Sequence, residues 1–275
     1  MAGHVVSLYL RENGFTVDTL SAHNILDKDT WLVDVRDIEK LKKILDAKQY
    51  DVVVNCIGLL VKESDEKKDL AIYINSFLPH LLEGHYKNSE TKIIHISTNG
   101  VFSSKNPPYK EDSKYDGESF YGRSKALGEI INSKDLTFRL SIIGPDMKED
   151  DTSLFNWFFR QKGEIQGYTN VIWNGITTLE LAKSIKAAIE QNLIGLYHLV
   201  PKDSISKFDL LQLFKRVFER NDIKITPAEG LALDTTLTNT RKDFNYQIPD
   251  YKTMIYGLKD WIKDHPKLYK HYEKS

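Results

Sequence analysis

The sequence predicts an α/β fold, a doubly wound parallel sheet with a small C-terminal lobe interleaved with it, on three observations. Short β-rich runs alternate with helical stretches through the first half, which is the pattern of βαβ units building a parallel sheet. From about residue 144 the texture changes to shorter strands and aromatic-rich helices. The 275 residues, 41% hydrophobic and 28% charged, are enough to bury one large core, with or without a smaller lobe.

Taken in order, residues 5–12 read as a helix closed by Gly14, and 15–20 as a strand. A weaker strand at 31–35 precedes an amphipathic helix over 38–47. Val52, Val53 and Val54 mark a strand over 51–56, and apolar residues at helical spacing fill 70–86. Strands at 92–97 and 136–140 complete a first unit, 1–143. The second, 144–275, holds helices over 152–161, 177–191 and 206–220 and a C-terminal helical stretch from Tyr251. Asn106-Pro107-Pro108 and Gly144-Pro145 stand where the chain can leave the sheet.

Composition excludes several partners. Thirty-eight basic against 39 acidic residues leave a net charge of −1, without the basic excess needed to track nucleic acid. No apolar run approaches the about 20 residues that span a bilayer, and residues 1–6 lack the features of a secretory signal. Cys56, the single cysteine, can form no intramolecular disulfide, so the chain reads as soluble and cytosolic. The histidines show no zinc-ligand spacing. Phe155, Trp157, Phe158 and Phe159 read as core rather than as a ligand pocket.

The chemistry concentrates at Tyr121-Gly122-Arg123-Ser124-Lys125. Tyr and Lys four apart share one helix face, and a nearby ammonium favours the phenolate, making the tyrosine a better proton donor to a developing alkoxide. This spacing is common by chance. Its context is Lys92-Ile93-Ile94-His95-Ile96-Ser97-Thr98, a strand ending in two hydroxyls, where open α/β sheets bind ligands. Thr98 is expected to hydrogen-bond the carbonyl oxygen that Tyr121 protonates.

These residues, with Asn55-Cys56-Ile57-Gly58, Asn75, Arg139-Leu140-Ser141 and Asn239-Thr240-Arg241, resemble the extended short-chain dehydrogenase/reductases. The match is nearest the branch of dTDP-4-dehydrorhamnose reductase and related sugar-nucleotide 4-ketoreductases, and covers nearly the whole chain. The resemblance implies a Rossmann-like sheet with Tyr121, Lys125 and Thr98 catalytic. Gly3, Asp34, Val35, Asn55, Cys56, Ile57, Gly58, Asn75 and Lys125 would bind the cofactor. Ser97, Asn99, Gly100, Asn239 and Arg241 would face the substrate, the last two on its diphosphate.

The chain departs from the pattern in two places. It opens at Met1-Ala2-Gly3-His4, with the family's first strand and earlier glycines missing. The reading frame is therefore expected to continue upstream by roughly a dozen codons, the length of a strand plus its turn. The alternative is a short chain of weakened cofactor affinity. Thr98-Asn99-Gly100-Val101-Phe102 carries Gly100 where relatives have an aromatic, giving room for a bulkier sugar substituent or simply making a turn.

The implied activity is NADPH-dependent reduction, because residues 20–23 hold no acid to repel a 2′-phosphate, with NADH also compatible; Asp18 is placed within the strand. The substrate is a nucleotide-linked 4-keto-6-deoxyhexose, leaning to UDP-4-keto-6-deoxy-N-acetylhexosamine over dTDP-4-keto-rhamnose, for surface polysaccharide biosynthesis. A homodimer is compatible. A non-catalytic regulatory subunit, or an epimerase or dehydratase of the same fold, are the alternatives; Asn99-Gly100 lacks the acid-base pair of a dehydratase.

Overall fold

A computed structural model of the chain describes residues 1–148 and 153–272. In chain order, the first elements are α1 (Ala2–Glu12), β1 (Thr19–Ser21), β2 (Thr30–Leu32), α2 (Ile38–Leu45), β3 (Val52–Asn55), α3 (Val61–Glu66) and α4 (Lys68–Ala71). A π-helical segment (Ile72–Phe77), α5 (Leu78–His85), β4 (Lys92–Thr98), a 3₁₀ turn (Asn99–Val101), α6 (Phe120–Leu127), β5 (Leu136–Leu140) and β6 (Ile142–Ile143) follow. Then come α7 (Leu154–Arg160), β7 (Gly163–Tyr168), β8 (Val171–Trp173), β9 (Ile176–Thr177), α8 (Thr178–Glu190) and β10 (Gly195–His198). The chain closes with β11 (Ile205–Ser206), α9 (Lys207–Val217), β12 (Ile223–Ala228), β13 (Leu233–Asp234) and α10 (Tyr251–Asp264).

Several helix starts follow from single side chains. Asp37, Ser119, Ser153, Thr177, Ser206 and Asp250 each accept from the backbone N–H three residues on, a cap worth about 1 kcal/mol.

The main sheet is parallel, in the order β3-β4-β5-β10. β5 is wholly buried and β4 nearly so, as central strands covered on both faces must be. Side chains of α1, α8 and α10 pack on one face and of α2 and α5 on the other. This is the doubly wound arrangement. β1 and β2 pair in parallel as a separate ribbon, and among the described residues neither is hydrogen-bonded to β3, whose valines stay half-buried.

The second half of the chain contributes to both parts of the molecule. β10 joins the main sheet and α8 packs on α1, whereas β7, β12 and α9 form a lobe with β8, β11 and β13. One core runs through both, from Val5 to Tyr272. Phe155 and Phe158 are fully buried in it and pack on Phe214.

Four expectations are corrected. The strand over 15–20 shrinks to Thr19–Ser21 because the Arg11 guanidinium takes the Val17 carbonyl, Nε at 3.0 Å and Nη2 at 2.6 Å, tying residues 15–17 to α1. Asp18 precedes the strand and accepts from Lys48 Nζ (2.6 Å) and the Tyr50 hydroxyl (3.0 Å). The helix over 70–86 is interrupted by the π turn. The helix placed over 152–161 begins at Leu154, and Thr152 lies outside the described residues. No helix among those residues is long and apolar enough to cross a membrane.

Candidate active site

The site is built where α6 lies across the carboxyl ends of β3 and β4. Two glycines let it come that close. A Cβ on Gly122 would collide with the Gly100 carbonyl oxygen, and one on Gly128, the C-cap, with the Asn75 carbonyl oxygen. The helix therefore rests backbone on backbone against the 3₁₀ turn and the π segment. Gly122→Ala is expected to destabilise the fold by about 1–3 kcal/mol through overpacking, although Ala favours a helix by about 1 kcal/mol. An unchanged or raised melting temperature would contradict this packing.

Tyr121 and Lys125 project from α6 toward the end of β4. The Tyr121 phenol is pushed above its ordinary pKa by burial, partly offset by the neighbouring Thr98 hydroxyl. Thr98 Oγ1 also accepts from Gly100 N–H at 3.0 Å, which fixes its rotamer. The ammonium of Lys125 was expected to act on the phenol. Instead it donates to the Ile96 carbonyl oxygen at 2.7 Å, and burial lowers its pKa to about 8. Helical spacing puts both residues on one face, but the long lysine stem carries the charge down onto the strand.

The loop after β3 closes over Lys125. Asn55 Oδ1 accepts from Ile57 N–H (3.1 Å). Asn75, fully buried, holds Leu59 from both sides, its Oδ1 accepting from Leu59 N–H (2.9 Å) and its Nδ2 donating to Leu59 O (3.2 Å) and Ser124 Oγ (3.1 Å). Its amide thus shapes the loop and ties it to α6. The π turn is what aims Asn75 there, in keeping with the frequent placement of such turns at functional sites.

A Cβ on Gly58 would lie 4.0 Å from Lys125 Nζ, and one on Gly3 3.7 Å from Cys56 Cβ. The first turn of α1, which has no side-chain cap, therefore meets the end of β3 beside Lys125. Burial pushes the Cys56 thiol up to about 11. A helix N-terminus with glycines beside it is the kind of surface that takes a pyrophosphate.

Other expected residues are placed differently. Ser97 donates to Glu129 Oε1 at 2.6 Å, and Asn99 Nδ2 to Thr235 Oγ1 at 2.7 Å. Gly100 stands against the site itself, since a Cβ there would lie 3.2 Å from the Tyr121 ring and 3.3 Å from Thr98 Oγ1. Asn239 donates to the Tyr197 hydroxyl, and Arg241 is held by Asp243 and by the Ile194 and Leu196 carbonyls. Both thus lie against β10. Asp34 pairs with Arg36, which lowers its carboxyl to about 2, and the buried Val35 accepts from the Tyr73 hydroxyl through its carbonyl (2.9 Å).

Sequence reasoning missed Glu129, Arg139 and His198 as one network. Glu129 accepts from Ser97, Arg139 and the Tyr115 hydroxyl. Arg139 Nη1 also meets His198 Nε2 (3.2 Å), whose Nδ1 faces the Thr238 carbonyl (3.1 Å). The available signal was a charged arginine in an otherwise apolar strand, which must have a buried partner.

The family described as RmlD substrate binding domain matches residues 9–240. The chain belongs to that family. The probable low-salt glycan biosynthesis reductase Agl14 of Haloferax volcanii is 30% identical to it over 151 residues, 52% of this chain and 50% of that protein. The chain thus spans about half the length of this curated relative. The hypothetical dTDP-4-dehydrorhamnose reductase of Sulfolobus tokodaii superposes with a TM-score of 0.76 at 21% identity, over 90% of this chain and 94% of that one. The dTDP-4-dehydrorhamnose reductase of Bacillus anthracis, solved with NADP, gives 0.74 at 18%, over 84% and 89%. At these identities the two structures show that the RmlD-family chain shares their fold.

Proposed function

We propose that this protein is an NADPH-dependent reductase of the 4-keto group of a nucleotide-linked 4-keto-6-deoxyhexose, acting in surface glycan synthesis. The carrying observation is that Tyr121 and Thr98 come together around Gly100 at the end of β4, with the Lys125 side chain buried behind them. Family membership and the reductase relative support it, and the NADP complex of a structural neighbour supports the cofactor. The residues fit that cofactor: Gly3 and the N–H groups of α1 toward its pyrophosphate, and the loop from Asn55 to Gly58 with Lys125 toward the adjoining ribose.

When bound, the nicotinamide supplies hydride to the carbonyl carbon. Thr98 orients the ketone oxygen by a hydrogen bond, and Tyr121 donates its phenolic proton to that oxygen as negative charge develops. Burial keeps the phenol protonated at neutral pH, so the acid is in its working form before the reaction. Lys125, beside the loop that would carry the ribose, anchors this end of the site.

Gly100 packs on Tyr121 and Thr98, so its lack of a side chain serves their placement. That favours dTDP-4-keto-rhamnose over a 2-acetamido sugar as the first substrate to assay. NADPH oxidation is expected with it, and slower or absent oxidation with the UDP-linked 2-acetamido compound. The reverse preference would show that the pocket was shaped for the amide. Turnover of neither, with nucleotide binding retained, would favour a non-catalytic role.

A further inference from the structure

His95 is fully buried in β4, one residue before the carbonyl that holds Lys125, and nothing in the mechanism above uses it. Its two ring nitrogens meet two different groups. Nδ1 lies 3.1 Å from Asn55 Nδ2, and Nε2 lies 3.4 Å from Lys125 Nζ.

The hydrogens on this chain of groups can be assigned from one end. The Ile57 N–H is a donor and lies 3.1 Å from Asn55 Oδ1, so the amide cannot be turned round. Asn55 Nδ2 then donates to His95 Nδ1. A neutral imidazole that accepts at Nδ1 carries its hydrogen on Nε2. That N–H points at Lys125 Nζ, which can accept it only through the lone pair of an uncharged amine. An ammonium there would set donor against donor.

We propose that His95 is a positioning residue for the reaction: locked by Asn55 as its Nε2–H tautomer, it presents an N–H to Lys125 and favours the uncharged amine. The proposal rests on the reductase reading for its catalytic meaning. When the proton leaves Nζ, the freed electron pair accepts the His95 N–H, so the deprotonated lysine gains a hydrogen bond that the ammonium lacks. Lys125 can thus release and regain a proton close to neutral pH, which an ordinary lysine does not.

The surroundings agree. Burial lowers Lys125 to about 8, and His95 is held well below its ordinary range by burial and by Lys125, so the imidazole stays neutral. The other groups that face this pair are Cys56 at the end of β3, Glu129 after α6 and His80 on α5. Cys56 is uncharged, Glu129 is engaged by Arg139, and His80 is paired with Glu83. None of them reverses the donor set at Nζ.

The first test needs no activity. Nitrogen NMR of the ¹⁵N-histidine-labelled chain should show His95 protonated at Nε2 and bare at Nδ1 from pH 6 to 8; the opposite tautomer would overturn the proposal. In His95→Gln the side chain can turn a carbonyl to the ammonium, and Lys125, followed by its side-chain NMR signals, is expected to titrate about one unit higher. Asn55→Asp gives a second route should that variant not fold. A carboxylate in place of the amide draws the hydrogen to Nδ1, leaves Nε2 an acceptor, and should also raise the Lys125 titration. With the reductase assay in hand, the limb of the kcat/KM profile that follows Lys125 should move with it in both variants. An unmoved Lys125 titration refutes the role of His95, whereas the expected tautomer and titration in a chain without turnover refute only the reductase reading.

Discussion

Tyr121→Phe is expected to lower turnover by ~100-fold or more, the scale of a positioned general acid, with NADPH affinity and melting temperature nearly unchanged. The ring remains to pack against Gly100, so the loss is confined to the hydroxyl. What disappears is the proton delivered to the ketone oxygen and the hydroxyl beside Thr98. Both act as charge develops, so kcat and kcat/KM should fall together while KM moves little. Lys125→Met, by contrast, should also weaken nucleotide binding. Steady-state kinetics with NADPH and a 4-keto sugar nucleotide decide the matter, and full turnover in Tyr121→Phe would end the reductase mechanism.

The second large effect is one of stability. Arg139 and Glu129 form an ion pair with side chains only 1% exposed, Nη2 to Oε2 at 2.8 Å. The guanidinium also stands over the rings of Phe102 and Tyr115 at 5.2 and 4.9 Å. Arg139→Met leaves a buried carboxylate without its countercharge and is expected to cost about 3–5 kcal/mol. Removing both charges in Arg139→Met with Glu129→Leu should cost markedly less, because an ion pair often contributes little over apolar side chains of similar size. Urea denaturation of the two variants compares them, and equal losses would mean that the pairing itself is not what matters.

Much of this was legible because apolar runs are hard to misread. β5 falls on the residues its pattern marks, and α10 begins at Tyr251 as read. The Tyr121–Lys125 spacing and the hydroxyl end of β4 also find one another in space. Hidden from the sequence was whatever depends on one side chain choosing a distant partner. Arg11 seizing the Val17 carbonyl erases half a strand that propensity supports. Arg241, read as a fork for phosphate, is closed by Asp243 two residues on and by carbonyls of the β10 edge. Likewise Ser97, adjacent to Thr98 in sequence, turns to Glu129. The π turn leaves no periodic trace, since one extra residue in a helical run does not disturb its apolar count.

The seating of α6 on two carbonyl oxygens has a consequence for motion. A helix cushioned by side chains has rotameric slack, because its neighbours can hop between wells and let it slide. At Gly122 and Gly128 there is no such cushion. Tyr121 and Lys125 lie between these supports or beside them, so the gap from the phenol to Thr98 is held with the stiffness of peptide planes. The amide protons of α6 should therefore exchange with solvent no faster than those of β4, as slowly as the interior of the sheet, although the helix spans only Phe120–Leu127 and an isolated helix of that length would fray.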